Sequence, residues 1–302
     1  MVTADPDDGR TAKVAPFPES WSEAHFNVRA DLEAGRALAS PDDAWAGPCP
    51  AGCLTGFTFG VNENGYSYAT PCRCATLHKR VEVFNAAGLP AEAAGRTLSS
   101  LDWSRLSSSW ALIGTGDGTF KRSDMRRAIW RFLDGWKLGR RGLLLEGATG
   151  LGKTHVAYGI VHCLTLRHGV RARFVEWAHL LERLKDTFND AGRVQAGRSA
   201  AALVENLIQC PLLVLDDLGG EHGTTWSASV FNGVISPRSA AGRTTIITSN
   251  LRHDLPAADP LSLVSRAGAR AHGRIIASSD LLTFVGDNYR TRGLPRETGE
   301  TP

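Results

Sequence analysis

Gly147-Ala148-Thr149-Gly150-Leu151-Gly152-Lys153-Thr154 satisfies the pattern G-x-x-x-x-G-K-[ST] and follows the apolar run Leu143-Leu144-Leu145. The residues after it, Val156 to Leu166, read as a helix. Strand, glycine-rich loop and helix in this order predict a phosphate-binding loop. Glycine lets the backbone wrap a phosphate closely, and the loop amides and helix N-terminus supply partial positive charge. Lys153 is placed to reach the β- and γ-phosphates, and the Thr154 hydroxyl to ligate Mg²⁺.

Outward from this loop the chain alternates strand and helix patterns. Ser123 reads as the cap of a helix reaching Trp136, Ala172–Val175 as a strand, and Ala178 to Phe188 as a helix. Leu212-Leu213-Val214-Leu215 and Thr244 to Thr248 are continuous apolar or β-branched runs, as expected of strands buried on both faces. The fold class is therefore α/β, a parallel sheet flanked by helices. Asp216-Asp217 follows the first of these runs directly. A carboxylate at the end of a buried strand beside a phosphate loop is where Mg²⁺ coordination needs one, so Asp216 is read on the magnesium side. Asp217 is read as the group that deprotonates the attacking water. Asn250, after the next strand, is placed to reach the γ-phosphate or that water.

The chain has 302 residues, 42% hydrophobic and 22% charged, with a net charge of +3. That composition is ordinary for a soluble globular protein and too weakly basic to argue for nucleic acid by itself. No apolar run approaches the roughly 18 residues of a membrane span. The polar, acidic start Met1 to Arg10 does not read as a secretory signal, and a cytoplasmic protein is expected. Residues 1–45 read as a flexible arm in which Trp21 to Ala39 could form a helix.

Cys49, Cys53, Cys72 and Cys74 form C-x3-C and C-x-C around aromatic-polar alternation centred on Asn64-Gly65, a hairpin signal. A hairpin carrying two cysteine pairs predicts a tetrahedral Zn²⁺ site, with His78 able to replace one thiolate. Such a small module would draw much of its folding energy from the metal. Residues 46–110 are read as this zinc-binding, partner-binding module with a connector. The break is drawn near the Ser and Gly clusters at 107–118, and residues 111–302 form the ATPase domain. Cys163 and Cys210 read as core residues.

The motifs GATGLGKT, LLVLDDLG and TTIITSN, at these separations, resemble AAA+ ATPases of the DnaC-type helicase-loader and IstB-type transposition-helper family, over about residues 120–292. Residues 49–90 resemble the zinc-bearing N-terminal part of DnaC-like loaders. The resemblance implies an ATPase that hydrolyses ATP at subunit interfaces, with Asp216 the Walker B aspartate, Asp217 the catalytic acid and Asn250 the sensor 1 residue. Val264 to Arg270 is similar to the family's arginine-finger box, which implies Arg270 as the finger, Arg266 as its companion, and a homo-oligomer. Asn288-Tyr289-Arg290 is similar to the closing Tyr-Arg, which implies Arg290 as sensor 2. The 32 residues after Arg270 are too few for the usual helical lid, so no full lid is expected.

The resemblance implies two partners, a replicative helicase and single-stranded DNA. Lys121 to Arg141, with eight basic residues and Trp130 and Trp136, could be a surface for single strands or equally a solvated helix face. Asp186 to Arg198, with Phe188, Arg193 and Arg198, lies where the family places DNA-facing elements. The leading expectation is a DnaC-like loader, which the N-terminal module favours. The alternatives are an IstB-like transposition helper on target DNA and a nucleotide-dependent DNA-binding adaptor.

Overall fold

The computed structural model describes residues 28–31, 35–39, 57–71, 75, 77–115, 117–189, 194–221, 223–286 and 288–289. The chain begins with strands β1 (Val28–Asp31), β2 (Arg36–Ala39), β3 (Phe57–Val61) and β4 (Ser67–Pro71), followed by helix α1 (Leu77–Asn85). Next come β5 (Trp110–Gly114), β6 (Phe120–Asp124), α2 (Met125–Asp134), β7 (Gly142–Glu146), α3 (Lys153–His162) and β8 (Ala172–Glu176). The remainder is α4 (Trp177–Asn189), α5 (Val194–Gln209), β9 (Leu212–Leu218), α6 (Thr225–Ala240), β10 (Thr244–Ser249), α7 (Leu263–Ala267), α8 (Ala269–Ser278) and β11 (Ser279–Thr283).

Seven strands form one sheet in the order β6-β5-β11-β7-β10-β9-β8. The five from β11 to β8 are parallel, and β5 and β6 join antiparallel beside β11. The chain leaves β7 for the far edge at β8 and works back through β9 to β10. The order of travel thus reverses beside β7, and the strand C-termini open a crevice there, the usual ligand position in such sheets.

The apolar runs are continuous because both faces of the sheet are covered. Leu143 and Leu145 enter one core with Val156 and Ile160 of α3 and Ile129 and Phe132 of α2. Leu144 enters a second core with Trp177 and Leu181 of α4 and Phe231 and Val234 of α6. Strand β9 divides the same way, Leu212 and Val214 to one side and Leu213 and Leu215 to the other. Each fully buried leucine contributes about 1.5–3 kcal/mol. Val81, Phe84, Leu89, Leu98 and Leu101 belong to the first core, so this segment packs with the seven-stranded sheet. Arg80 donates to the Leu166 carbonyl at 2.7 Å across that contact.

Several local expectations change. Trp21 to Ala39 is not helical over its described part: Val28–Asp31 pairs antiparallel with Arg36–Ala39. Gly35 at φ +62° suits the turn, and the alternation that buries Ala37 and Ala39 has the two-residue period of a strand. The cap of α2 is Asp124, whose carboxylate accepts the Arg127 amide at 2.8 Å, while Ser123 lies in β6. After the phosphate loop, helix α3 begins at Lys153 and runs on into a π-helical turn, Cys163–Arg167. The hairpin at Asn64-Gly65 forms as expected, β3 against β4, with Gly65 at φ +79°. Among the described residues, no helix is long and apolar enough to cross a membrane.

The edges of the sheet differ. Along β8 the amide of Phe174 donates to the Ala87 carbonyl at 2.8 Å, and the Arg173 guanidinium bonds the Ala86 carbonyl. At the other end β6 is outermost, with Lys121 and Arg122 exposed.

Candidate active site

The phosphate loop springs from the C-terminal end of β7. Three of its glycines hold positive φ, Gly147 at +144°, Gly150 at +80° and Gly152 at +85°. The space around two of them is closed. A Cβ on Gly147 would fall 2.6 Å from the Phe284 carbonyl oxygen, and one on Gly150 would fall 2.0 Å from Oδ1 of Asn288. The loop conformation is therefore open to glycine alone at these places. Gly152 caps α3, so the helix N-terminus faces the loop. Ala148 and Thr149 are exposed, while Leu151 turns its side chain into the first core.

Lys153 is buried, and its Nζ donates to the carbonyls of Gly147 and Ala148, each at 2.8 Å, and to Oδ1 of Asn250 at 2.7 Å. Asn250 in turn donates through Nδ2 to Oδ1 of Asp217 at 3.2 Å. Thr154 Oγ1 donates to Asp216 Oδ1 at 3.0 Å. The five residues singled out from separate motifs thus form two adjacent hydrogen-bonded groups, Lys153–Asn250–Asp217 and Thr154–Asp216, which line a cavity of about 1480 Å³ together with Tyr289.

Asp216 is 7% exposed, and burial raises its carboxyl to about 6 against the hydrogen bonds from Thr248 and Thr154 that stabilise the anion. Asp217 has φ +55°, and it is the sole non-glycine residue at positive φ among the described residues. The pairing of β9 with β10 shifts register here, from Leu215 opposite Ile247 to Leu218 opposite Ser249. This bulge turns Asp217 out toward the cavity.

The donors suit the groups they are expected to hold. Three positive-φ glycines, two of them in closed surroundings, make a backbone cradle for phosphates. A hydroxyl and a buried carboxylate in contact form the hard oxygen pair that Mg²⁺ prefers.

The two arginines have different surroundings. Arg266 NH1 donates to the Glu221 carbonyl of its own chain at 3.0 Å, in the loop that follows β9. Gly268, at φ +76°, interrupts the helix, and Arg270 lies beyond it on α8, exposed. Tyr289 is fixed to the site by its amide on the Gly150 carbonyl (2.8 Å), its hydroxyl on the Asp102 carbonyl (2.6 Å) and the Arg105 guanidinium over its ring. Arg290 lies outside the described residues, as do Cys49, Cys53, Cys72, Cys74 and Arg193 and the side chains of His78, Phe188 and Arg198.

Of the basic residues at 121–141, Arg140 and Arg141 hold the fold through hydrogen bonds. Arg141 bonds Asp280 at 3.0 Å and the carbonyls of Ala277 and Ser279, and Arg140 caps α2 through the carbonyls of Arg131 and Gly135. Trp136 packs edge-on against Phe132 at the core margin.

Sequence reasoning missed Thr248, Glu146, His253 and Thr283. Thr248 Oγ1 donates to Asp216 Oδ1 at 2.6 Å and accepts the Asp217 amide at 2.9 Å. Glu146 accepts His253 and Thr283. Each pair joins residues far apart in the chain, and no local pattern announces them.

The strand order, the phosphate loop and the paired acidic residues define a P-loop protein of the AAA+ class. The IstB-like ATP binding protein family matches residues 135–292, more than half of the chain, and the chain belongs to that family. Among curated relatives, the replicative helicase loader DnaC of Buchnera aphidicola subsp. Schizaphis graminum is 27% identical over 165 residues, 54% of this chain and 62% of the relative. The DnaC loader of Buchnera aphidicola subsp. Baizongia pistaciae is 31% identical over 150 residues, 49% of this chain and 56% of the relative. A Mycobacterium tuberculosis protein, named as an ATP-binding protein in an insertion sequence, is 28% identical over 164 residues, 54% of this chain and 61% of its own length. The matches span less than two thirds of these relatives. A crystal structure of the DnaC helicase loader aligns with 54% of this chain and 92% of its own, at 28% identity and a TM-score of 0.45.

Proposed function

We propose that the protein is an ATPase that hydrolyses ATP between subunits and uses the cycle to load a replicative helicase onto single-stranded DNA. The observation that carries hydrolysis is the connected set Lys153–Asn250–Asp217 beside Thr154–Asp216. A site for binding alone has no use for a second carboxylate linked to a polar amide. Lys153 binds the terminal phosphates and offsets their charge. Asn250 orients the attacking water, and Asp217 accepts its proton as the bond to phosphorus forms. Bound Mg²⁺, held by Thr154 and Asp216, would neutralise charge on the phosphate oxygens. Arg270 is offered to the neighbour's site and stabilises the transition-state charge there, which makes the active form a homo-oligomer.

The loader reading is supported by the relatives named as helicase loaders and by the cysteine-bearing residues 46–110. We propose that Cys49, Cys53, Cys72 and Cys74 bind Zn²⁺ there. Metal analysis of the purified chain should find about one zinc per chain, lost when Cys72 and Cys74 are replaced by serine. A second reading, an IstB-like transposition helper, is favoured by the matched family and the insertion-sequence relative.

The test is to measure ATP turnover of the full chain alone, with single-stranded DNA, and with a replicative helicase from the same cell. Turnover abolished in Lys153→Ala and a stable complex with the helicase are expected. Turnover unchanged in Lys153→Ala would overturn the ATPase reading. Absence of a helicase complex, with retention on duplex DNA, would transfer the chain to the second reading.

A further inference from the structure

Among the described residues, the chemistry above leaves a fully buried carboxylate without a task. Glu146, the last residue of β7, is 0% exposed. A carboxylate in such a place costs several kcal/mol of lost hydration unless donors surround it, and an apolar residue of similar size would usually serve stability as well. Its donors converge from both strands that flank β7. Oε2 accepts the His253 amide at 3.0 Å and His253 Nδ1 at 2.8 Å, from the loop after β10. Oε1 accepts the Thr283 hydroxyl at 3.0 Å, at the end of β11. The hydrogen bond that the imidazole donates to the carboxylate also holds His253 above its usual range.

This arrangement sits where the phosphate loop leaves the sheet. The amide of Gly147, the next residue, donates to the Ser249 carbonyl at 3.3 Å. The loop Ser249–His253 is thus pinned at both ends to Glu146 and Gly147, and Asn250 lies between the pins. On its outer side the His253 carbonyl accepts Nε2 of His272 at 3.0 Å, from α8, which carries Arg270.

We propose that Glu146 and His253 are positioning residues of the nucleotide site, a clasp that sets Asn250 against Lys153 and Asp217 and ties the same loop to the helix bearing Arg270. Its effect on turnover rests on the ATPase reading above, whereas the clasp itself does not. Neither residue touches the nucleotide in this scheme. The clasp acts on geometry, where a displacement of about 1 Å costs up to about a hundredfold in rate.

The experiment compares His253→Ala, His253→Asn and Glu146→Gln in the full chain. The Asn side chain keeps a donor where imidazole Nδ1 stands, and Gln keeps the shape of Glu without its charge. In His253→Ala, turnover at saturating ATP should fall about tenfold or more while ATP affinity stays within about threefold. His253→Asn should recover turnover to within about threefold. Without nucleotide, hydrogen exchange of amides 249–253 and 147–150 should quicken about tenfold together in His253→Ala and return in His253→Asn. Glu146→Gln should fall between the two. Exchange and turnover of His253→Ala equal to the parent would overturn the clasp. So would a His253→Asn that restores thermal stability without restoring turnover. A parent chain that binds ATP but does not hydrolyse it removes the ATPase reading alone, and the exchange measurement still decides the clasp.

Discussion

Thr248 and Asp216 are joined by a 2.6 Å hydrogen bond at the point where β10 and β9 fall out of register, and the same hydroxyl accepts the Asp217 amide. One side chain thereby fixes the acid read as a magnesium ligand and the backbone of the acid read as the base. Thr248→Val removes both bonds inside a dry interior. It should destabilise the chain by about 1–3 kcal/mol and weaken MgATP binding about tenfold, while Thr248→Ser should restore both. Denaturant unfolding and nucleotide titration check this.

Burial raises the Asp216 carboxyl to about 6, above its ordinary 3.8. Between these values the native chain binds the extra proton. The associated stability is complete below pH 3.8 and is lost as pH rises through about 6. The loss is on the order of 3 kcal/mol in metal-free protein. Mg²⁺ needs the anion, so MgATP binding should release a proton near pH 5.5 and weaken about tenfold per pH unit below 6. Calorimetry in two buffers of different ionisation enthalpy measures that proton, and no difference between the buffers would refute it.

Asp217 holds a left-handed backbone, which asparagine tolerates and β-branched residues do not. Asp217→Asn should keep stability within about 0.5 kcal/mol. Its ATP turnover should nonetheless drop about a hundredfold or more. Asp217→Val should lose activity and, in addition, about 1–3 kcal/mol of stability. Urea unfolding beside turnover separates the two effects.

Among the described residues, Arg266 bonds its own chain and Arg270 makes no such bond. Arg270→Ala and Lys153→Ala should each be inactive alone. Mixed in equal amounts they should regain about a quarter of parental turnover, because that share of random interfaces pairs an intact loop with an intact finger. Arg266→Ala loses a bond within its own subunit and keeps Arg270, so mixing it with Arg270→Ala should recover the same share, whereas mixing it with Lys153→Ala should give no such recovery. Failure of the first mixture to recover would remove Arg270 from the neighbour's site.

The sheet was legible where burial is two-sided. Leu143–Leu145 and Leu212–Leu215 read as strands because helices cover both faces, and the loop and acids that follow them carry their own chemistry. Strand β6, Phe-Lys-Arg-Ser-Asp, has no apolar run because it is an edge with exposed side chains, and β11 opens on Ser279-Asp280. Asp280 is kept by Arg141 and the Gly114 amide, partners more than a hundred residues away. A separation of 107 residues hid Glu146 with His253, and one of 32 hid Thr248 with Asp216. A one-dimensional pattern reports which way a side chain faces, and these pairs depend on which strands end up side by side.

The two margins of the sheet bear on how copies of this chain can associate. Along β8 the Phe174 amide is already bonded to Ala87 and the Arg173 side chain to Ala86, and along β6 exposed Lys121 and Arg122 would bring like charges together in any strand-to-strand addition. Both margins are thereby disfavoured as places for a second copy to extend the ribbon. Contacts between copies, where they form, therefore fall to parts of the surface other than these two strand margins.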